Sequence, residues 1–125
     1  MEIQVGEYIR TKIGTIGKIK RIDFDEIDKS LKWYIYNKKD YITGIAGERA
    51  INKPYIKSHS FNIAEILEED DYVNGMRVSY VRFPNDPYEP AEIYVLDKHI
   101  NFIFASDIKS VVTHEQMEAM EYEVK

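Results

Sequence analysis

The amino-acid sequence predicts a β-rich α+β fold with two short helices. Residues 31–36, LKWYIY, alternate between two kinds of side chain with the period of a strand that has one face in the core. Asn74-Gly75 lies between two apolar runs and is the strongest two-residue signal for a β-hairpin. Two helix-capping patterns are present, each followed by only one or two turns of helix: Asn62 with Glu65, and Thr113 with Gln116.

The first half of the chain is predicted to form hairpins. Apolar residues between positions 3 and 9 indicate a short strand. Gly14 and Gly17 indicate a tight turn, because glycine adopts positive φ without steric cost, and a second strand then ends near Ile22. Residues 23–30 are predicted to form a polar loop that connects this strand to the next. Two more strands of this half are predicted, over residues 31–36 and 41–43.

The strand over 31–36 has two different faces. Leu31, Trp33 and Ile35 share one face because side chains alternate along a strand, and we expect all three in the core. The other face is a stripe in which we expect the tyrosines to be substantially exposed. The stripe consists of Lys32, Tyr34, Tyr36 and Lys38.

The second half contains the clearest local signals. One helix is predicted near 62–67 and another near 114–120, with the Asn74-Gly75 hairpin between them. Residues 84–90 contain three prolines and must be an irregular loop. The remaining strands are predicted over residues 92–96, 101–105, 108–112 and 121–124.

Charge divides the chain into two halves. Residues 1–57 carry 12 basic and 8 acidic residues, a net charge of +4, whereas residues 58–125 carry 5 and 14, a net charge of −9. Such asymmetry marks either two binding surfaces of opposite charge or two halves that attract each other. The segments GEYIRTKIGTIGKI and DDYVNGMRV also echo one another. Two barrel-like units, or one composite domain over 1–125 with a capping helix, both remain open.

The sequence argues against an enzyme and predicts no cofactor and no bound metal. The chain has no cysteine, so a thiolate metal site and a cysteine nucleophile are excluded. The three histidines form no local metal motif. Ser58, His59 and Ser60 are adjacent, but neighbouring side chains on an extended segment point apart and do not form a nucleophile–base pair. No phosphate-binding loop or nucleophile elbow is present.

The start of the chain lacks the basic and apolar regions of a signal peptide. No apolar run approaches the roughly 18 residues that cross a bilayer. We therefore expect a cytoplasmic protein that does not bind membranes. The abundance of isoleucine (18) and lysine (12) over alanine (6) and arginine (5) indicates a gene from an AT-rich genome.

Segments of the sequence resemble two groups of known proteins. Val5-Gly6-Glu7, followed by the double-glycine turn and KIKRI, resembles the opening of KOW, Tudor-like and other SH3-like barrels. This resemblance implies SH3-like small barrel character. SHSFNIAEILEEDDYVNG and DIKSVVTHEQMEAMEYEV resemble uncharacterised small proteins of phages and prophages from low-GC Gram-positive bacteria. The second resemblance implies a phage- or prophage-encoded protein in a bacterial host cell.

These observations favour a non-catalytic binding protein that docks on a host or defence protein with a basic surface. Such a protein would be an anti-defence or anti-CRISPR-like inhibitor, or a host-takeover factor. Its predicted contact surface is the acidic run Glu68, Glu69, Asp70 and Asp71.

The alternative is a nucleic-acid-binding module in the basic half. Its predicted surface would combine cations that neutralise phosphates with rings that stack on bases. That surface consists of Lys18, Lys20, Lys32, Tyr34, Tyr36 and Lys38.

Overall fold

The computed structural model describes residues 2–37 and 47–120. In these ranges the chain forms two antiparallel five-stranded sheets, one α-helix and three short 3₁₀ turns. The predicted β-rich class is confirmed. No helix in the described ranges is long and apolar enough to cross a membrane.

The first sheet has the strand order β4-β3-β2-β1-β5. Its strands are β1 (Tyr8–Thr11), β2 (Ile16–Asp25), β3 (Ser30–Asn37), β4 (Gly47–Ile51) and β5 (Ile56–Ser60). One face of this sheet packs a core of apolar side chains that includes the indole of Trp33. The core residues are Ile3, Ile9, Ile19, Trp33, Ile35 and Ile51.

The second sheet has the strand order β10-β6-β7-β8-β9. Its strands are β6 (Tyr72–Val73), β7 (Met76–Arg82), β8 (Glu92–Leu96), β9 (Phe102–Phe104) and β10 (Val111–Val112). The helix α1 (His114–Met120) follows β10. A separate core packs on this sheet and consists of Ala64, Leu67, Val73, Val78, Ala91, Ile93, Val95 and Ile103.

The two sheets share one topology. In each, four strands follow one another as a meander and the fifth returns to pair with the first. A 3₁₀ turn precedes each fifth strand, Lys53–Tyr55 before β5 and Ala105–Asp107 before β10. A capped helical segment follows it, Ile63–Ile66 after β5 and α1 after β10. The described chain is thus a tandem of two equivalent units, here called unit 1 (residues 3–37 and 47–66) and unit 2 (residues 67–120).

The equivalence extends to single backbone contacts. Gly6 and Asp70 both have positive φ, 94° and 73°, just before the first strand of their units. The N–H of Gly6 donates to the carbonyl of Ile19, and the N–H of Asp70 donates to that of Val78, both at 2.9 Å. Ile19 and Val78 each precede a bulge, in β2 and in β7. The echo in the sequence therefore marks the start of each unit.

Neither sheet is closed. β4 and β5 are the edges of the first sheet, and β9 and β10 are the edges of the second. The predicted SH3-like barrel is therefore not confirmed, although each unit forms its own antiparallel sheet.

Local signals predicted several elements correctly. Asn74 and Gly75 both have positive φ and join β6 to β7, as a primed two-residue turn requires. Asn62 caps the turn Ile63–Ile66 by accepting the N–H of Ala64 at 3.1 Å. This segment is 3₁₀ rather than α-helical. Thr113 and Gln116 form the reciprocal capping box ahead of α1, with contacts of 3.1 and 3.3 Å.

Other predictions of strand extent were wrong. β1 begins at Tyr8, so residues 3–7 are not a strand, although Ile3 is in the core. Gly14 turns with φ +92°, but Gly17 lies inside β2, which continues to Asp25. The later strands are shorter than predicted, Phe102–Phe104 and Val111–Val112, while Glu92–Leu96 matches. The predicted strands over 41–43 and 121–124 lie outside the described residues.

The prediction for Leu31 was also wrong. Trp33 and Ile35 are buried as predicted, but Leu31 is 44% exposed. β1 pairs only with residues 16–18 of β2, and β4 pairs only with residues 33–37 of β3. The β2–β3 hairpin therefore extends beyond its neighbours, and the core face of its outer part is left uncovered.

Candidate binding surfaces

A buried arginine joins the two units. Arg10 is on β1 and is 0% exposed. Its guanidinium donates two hydrogen bonds to Asp71, at 2.5 and 2.8 Å, and one to the carbonyl of Ile66 at 3.0 Å. It also donates to both carboxylate oxygens of Glu115 on α1. Burial disfavours the cation, but the hydrogen bonds that Arg10 donates to Asp71 and Glu115 outweigh this effect and raise the pKa of Arg10.

A second set of charges surrounds this arginine. Lys57 Nζ lies 3.0 Å from Glu68 Oε1 and 3.1 Å from Glu115 Oε2. His114 Nε2 lies 2.8 Å from Glu68 Oε1, and this hydrogen bond is the main cause of a raised His114 pKa. Burial alone would raise the pKa of Glu115, but Arg10 and Lys57 lower it to about 2. The group therefore holds unit 1 and unit 2 together through opposite charges.

The predicted acidic surface is largely engaged in this network. Asp71 is 0% exposed, so a partner cannot contact it, and Glu68 is partly buried between Lys57 and His114. Asp70 lies at the surface but is held by Arg77 at 2.7 Å. Glu69 is exposed. Of the four predicted residues, Asp71 is closed to solvent, Glu68 is one-third exposed, and Glu69 and Asp70 are the more exposed pair.

One group in the described residues has the spacing of metal ligands. Ligand atoms of Glu68, His114 and Glu115 all lie within 4.8 Å of one another. The same carboxylate oxygens already accept hydrogen bonds from Arg10 and Lys57. Because these two cations compensate the negative charge, the geometry describes an ion-pair network rather than an open metal site.

Of the three residues considered for catalysis, His59 and Ser60 have structural partners, and the Ser58 hydroxyl has none among the described residues. His59 Nδ1 lies 2.9 Å from Glu7 Oε1. The hydroxyl of Ser60 donates to Glu65 at 2.9 Å and accepts the N–H of Asn62 at 3.0 Å, which caps the turn that follows. Ser58 Oγ is buried and has no hydrogen-bond partner within the described ranges, so no base lies against it.

The structure does assemble a basic tyrosine face on the first sheet. Lys18 is paired in register with Tyr8 on one side and Tyr36 on the other. A bulge between Ile19 and Arg21 places Lys20 and Arg21 on this face as well. Each cation lies over a ring: Lys18 over Tyr8 at 5.5 Å, Lys20 over Tyr36 at 5.6 Å and Arg21 over Tyr34 at 3.8 Å.

This face differs from the predicted one in its membership. Tyr36 is 53% exposed as predicted, but Tyr34 is half-buried because Arg21 covers its ring. Lys32 is held by Asp25 at 3.0 Å and by Asp28 at 3.6 Å. Lys38 lies outside the described residues. The sequence analysis missed Arg21. Strict alternation along β2 places Arg21 on the face opposite to Lys18, and the bulge brings it to the same face.

The second sheet carries an aromatic row that the sequence analysis missed. Tyr80, Tyr94 and Phe102 are paired side by side across β7, β8 and β9. Tyr80 and Tyr94 stack with ring centroids 4.5 Å apart, and Phe102 lies 5.4 Å from Tyr94. Phe104 contacts Phe102 edge-on at 5.5 Å. The row borders a shallow groove of about 440 Å³ that also includes Leu96.

The aromatic row and the basic tyrosine face occupy equivalent positions. Tyr80 follows the bulge of β7 as Arg21 follows the bulge of β2. Their cross-strand partners are Tyr94 and Tyr34. Each unit therefore uses the same position to build its outer surface, with a cation over a ring in unit 1 and a stacked pair of rings in unit 2.

Neither a protein-family model, nor a curated protein, nor a solved structure matches this chain.

Proposed function

We propose that the chain is a non-catalytic binding protein, encoded by a phage or prophage, that docks on a host or defence protein in the bacterial cytoplasm. It would act as an anti-defence or anti-CRISPR-like inhibitor or as a host-takeover factor. The observation that carries the proposal is the aromatic row on the outer face of the second sheet.

The aromatic row has the composition of a protein-binding surface. Tyrosine, phenylalanine and arginine are enriched at the centres of protein interfaces, where large rings contribute most of the affinity. Tyr80 is 53% exposed and Leu96 is 63% exposed, so the row leaves a large apolar area open to solvent. An ion pair between Arg82 and Glu92, at 2.5 Å, borders it and supplies a polar rim.

Charge adds a preference for a basic partner. Exposed carboxylates of unit 2 lie in the predicted acidic run and in the loop between β7 and β8. They belong to Glu69, Asp70, Asp86 and Glu89. A negative field of this kind speeds association with a positively charged partner and disfavours acidic ones.

The proposal is tested by replacing two rings of the row. Tyr80→Ala with Phe102→Ala removes the two most exposed rings of the row, and Tyr55→Ala is the matched control because Tyr55 is a 63% exposed ring in unit 1. The wild-type chain is used to capture proteins from a nuclease-treated host lysate, and the affinity of the purified partner is then measured for each variant. We expect the double variant to bind at least about tenfold more weakly, as for interface hot spots, and Tyr55→Ala to bind as the wild type does. Equal binding by all three proteins would contradict the proposal.

Nucleic-acid binding is a second candidate because three cations and three rings share the face of the first sheet. The strand order of unit 1, with a 3₁₀ turn before its last strand, supports SH3-like character, a feature of several nucleic-acid-binding modules. For this candidate, neutralising Lys18, Lys20 and Arg21 must weaken oligonucleotide binding. The slope of log affinity against log salt would fall by about 0.7 per lost contact to a single strand.

A further inference from the structure

The outer part of the β2–β3 hairpin presents an apolar surface that folding leaves uncovered. Phe24 and Leu31 are cross-strand partners and are 56% and 44% exposed. Ile27, at the tip of the hairpin, is 95% exposed. Folding gains almost nothing from an isoleucine in that position, because nearly all of its surface stays in water.

The tip is held in a defined conformation. Asp25 Oδ1 accepts the N–H of Ile27 at 2.9 Å and that of Asp28 at 3.3 Å, which forms an Asx turn. Asp28 in turn accepts the N–H of Ser30 at 3.0 Å. Lys32 also binds the Asp25 carboxylate, at 3.0 Å. The exposed isoleucine is therefore presented by an ordered turn.

Unit 2 has a similar turn with an exposed side chain at the equivalent connection, between β7 and β8. Tyr88 is 95% exposed, as Ile27 is. Asp86 Oδ1 accepts the N–H of Tyr88 at 2.9 Å, so an aspartate two residues earlier holds the exposed side chain in both units. The N–H of Glu89 donates to the carbonyl of Asp86 at 3.1 Å. Three prolines in the loop restrict its backbone further.

Both tips are acidic around their apolar residue. Residues 21–32 contain four acidic and three basic residues, a net charge of −1. Arg21 pairs with Asp23, and Lys32 pairs with Asp25 and Asp28, while Glu26 is exposed next to Ile27. Residues 83–91 contain two acidic residues and no basic one, a net charge of −2. This charge disfavours phosphates and anionic lipid surfaces, and it complements a protein surface rich in lysine and arginine.

We infer that the two loops are a pair of docking tips that insert Ile27 and Tyr88 into apolar sockets rimmed by basic side chains on one partner protein. The inference rests on the proposed function and assigns it two contact points that are related by the internal repeat. On a partner whose two sockets match the spacing of the tips, binding of the first tip makes binding of the second intramolecular, and the pair binds more tightly than either tip alone.

The inference is tested with a photo-crosslinking amino acid placed at position 27 or at position 88 of the full chain, in host cells. Lys12, an exposed residue in the β1–β2 turn, is the control position. We expect the same host protein to crosslink from both tips and not from position 12. Crosslinks mainly to a second copy of the chain, or to nucleic acid, would overturn the inference.

The affinity of that host protein is then measured for Ile27→Ser, Tyr88→Ser and the double variant. Val5→Ser is the matched control, since Val5 is a 53% exposed apolar residue outside the tips. We expect each single tip variant to bind at least about tenfold more weakly and the double variant to bind about 10²- to 10⁴-fold more weakly. Binding of the wild type must also weaken as salt rises, because salt screens the attraction between the acidic residues of the tips and the basic rims of the sockets.

The outcomes separate this inference from the proposed function. If Tyr80→Ala with Phe102→Ala abolishes binding while both tip variants bind as the wild type does, the proposed function stands and the docking tips are refuted. If the wild-type chain captures no host protein, both fail.

Discussion

Replacing Arg10 by methionine tests whether the buried ion-pair network holds the two units together. The substitution keeps the length of the side chain but removes its hydrogen bonds to Asp71, to Glu115 and to the carbonyl of Ile66. The carboxylate of Asp71 is 0% exposed and would be left without its cation. Removing one partner of a buried ion pair costs about 3–5 kcal/mol, a large part of the roughly 5–15 kcal/mol that stabilises a domain.

Urea denaturation measures this loss. With a typical slope of about 2 kcal/mol per molar urea, a loss of about 4 kcal/mol lowers the midpoint by about 2 M. Trp33 is the single tryptophan and is buried in the core of unit 1, so its fluorescence reports the unfolding of that unit. Far-ultraviolet circular dichroism reports both units. We expect the two signals to change together in the wild type and to separate in Arg10→Met.

Two further variants serve as controls. Lys57→Met removes a partly exposed cation from the edge of the same network, and we expect it to cost only about 0–1 kcal/mol. Adding Asp71→Leu to Arg10→Met removes the uncompensated buried carboxylate and should recover part of the lost stability. If Arg10→Met unfolds within about 1 kcal/mol of the wild type, the network does not hold the units together and this reasoning is wrong.

Three further predictions follow from the same contacts. The Glu115 pKa is lowered from 4.5 to about 2, so its ionised form contributes stability above pH 4.5 that is lost as the pH falls toward 2. The free energy of unfolding of Glu115→Gln, measured between pH 4.5 and 2, should therefore decrease less than that of the wild type. Gly14→Ala places a methyl group against Thr113 Oγ1 and 2.8 Å from the Glu115 Cβ, at φ +92°, so it should destabilise by more than about 2 kcal/mol. Gly75→Ala, at φ +79° with nothing within 4 Å, is its control and should lose only the smaller cost of backbone strain. Trp33→Ala should cost about 3–5 kcal/mol in thermal or urea unfolding, and a loss below about 1 kcal/mol would contradict its place in the core.

The elements that sequence alone predicted are those that neighbouring residues determine. The turn at Asn74-Gly75 depends on the positive φ that these two residues tolerate. The capping box of Thr113 and Gln116 spans four residues and forms as predicted. Signals of this kind do not depend on the position of the rest of the chain.

The features that sequence reasoning missed depend on distant segments. Leu31 follows the same alternation as Trp33 but lies beyond the point where β1 and β4 cover the hairpin. Arg10 is not singled out by the sequence analysis, and its side chain is buried against Asp71 and Glu115, which are 61 and 105 residues away along the chain. Arg21 reaches the outer face through a bulge, which a regular period of two does not contain.

The division of charge along the sequence combines two different roles. Arg10 and Lys57, from the basic half, neutralise Asp71, Glu68 and Glu115 from the acidic half, and these pairs lie between the units. The acidic groups that remain at the surface include those of the two tips, on either side of Ile27 and Tyr88. The acidic run at 68–71 therefore lies largely in contacts between the units. The loops that join β2 to β3 and β7 to β8, which the sequence analysis describes as a polar connection and an irregular loop, instead hold Ile27 and Tyr88 in solvent on hydrogen-bonded turns.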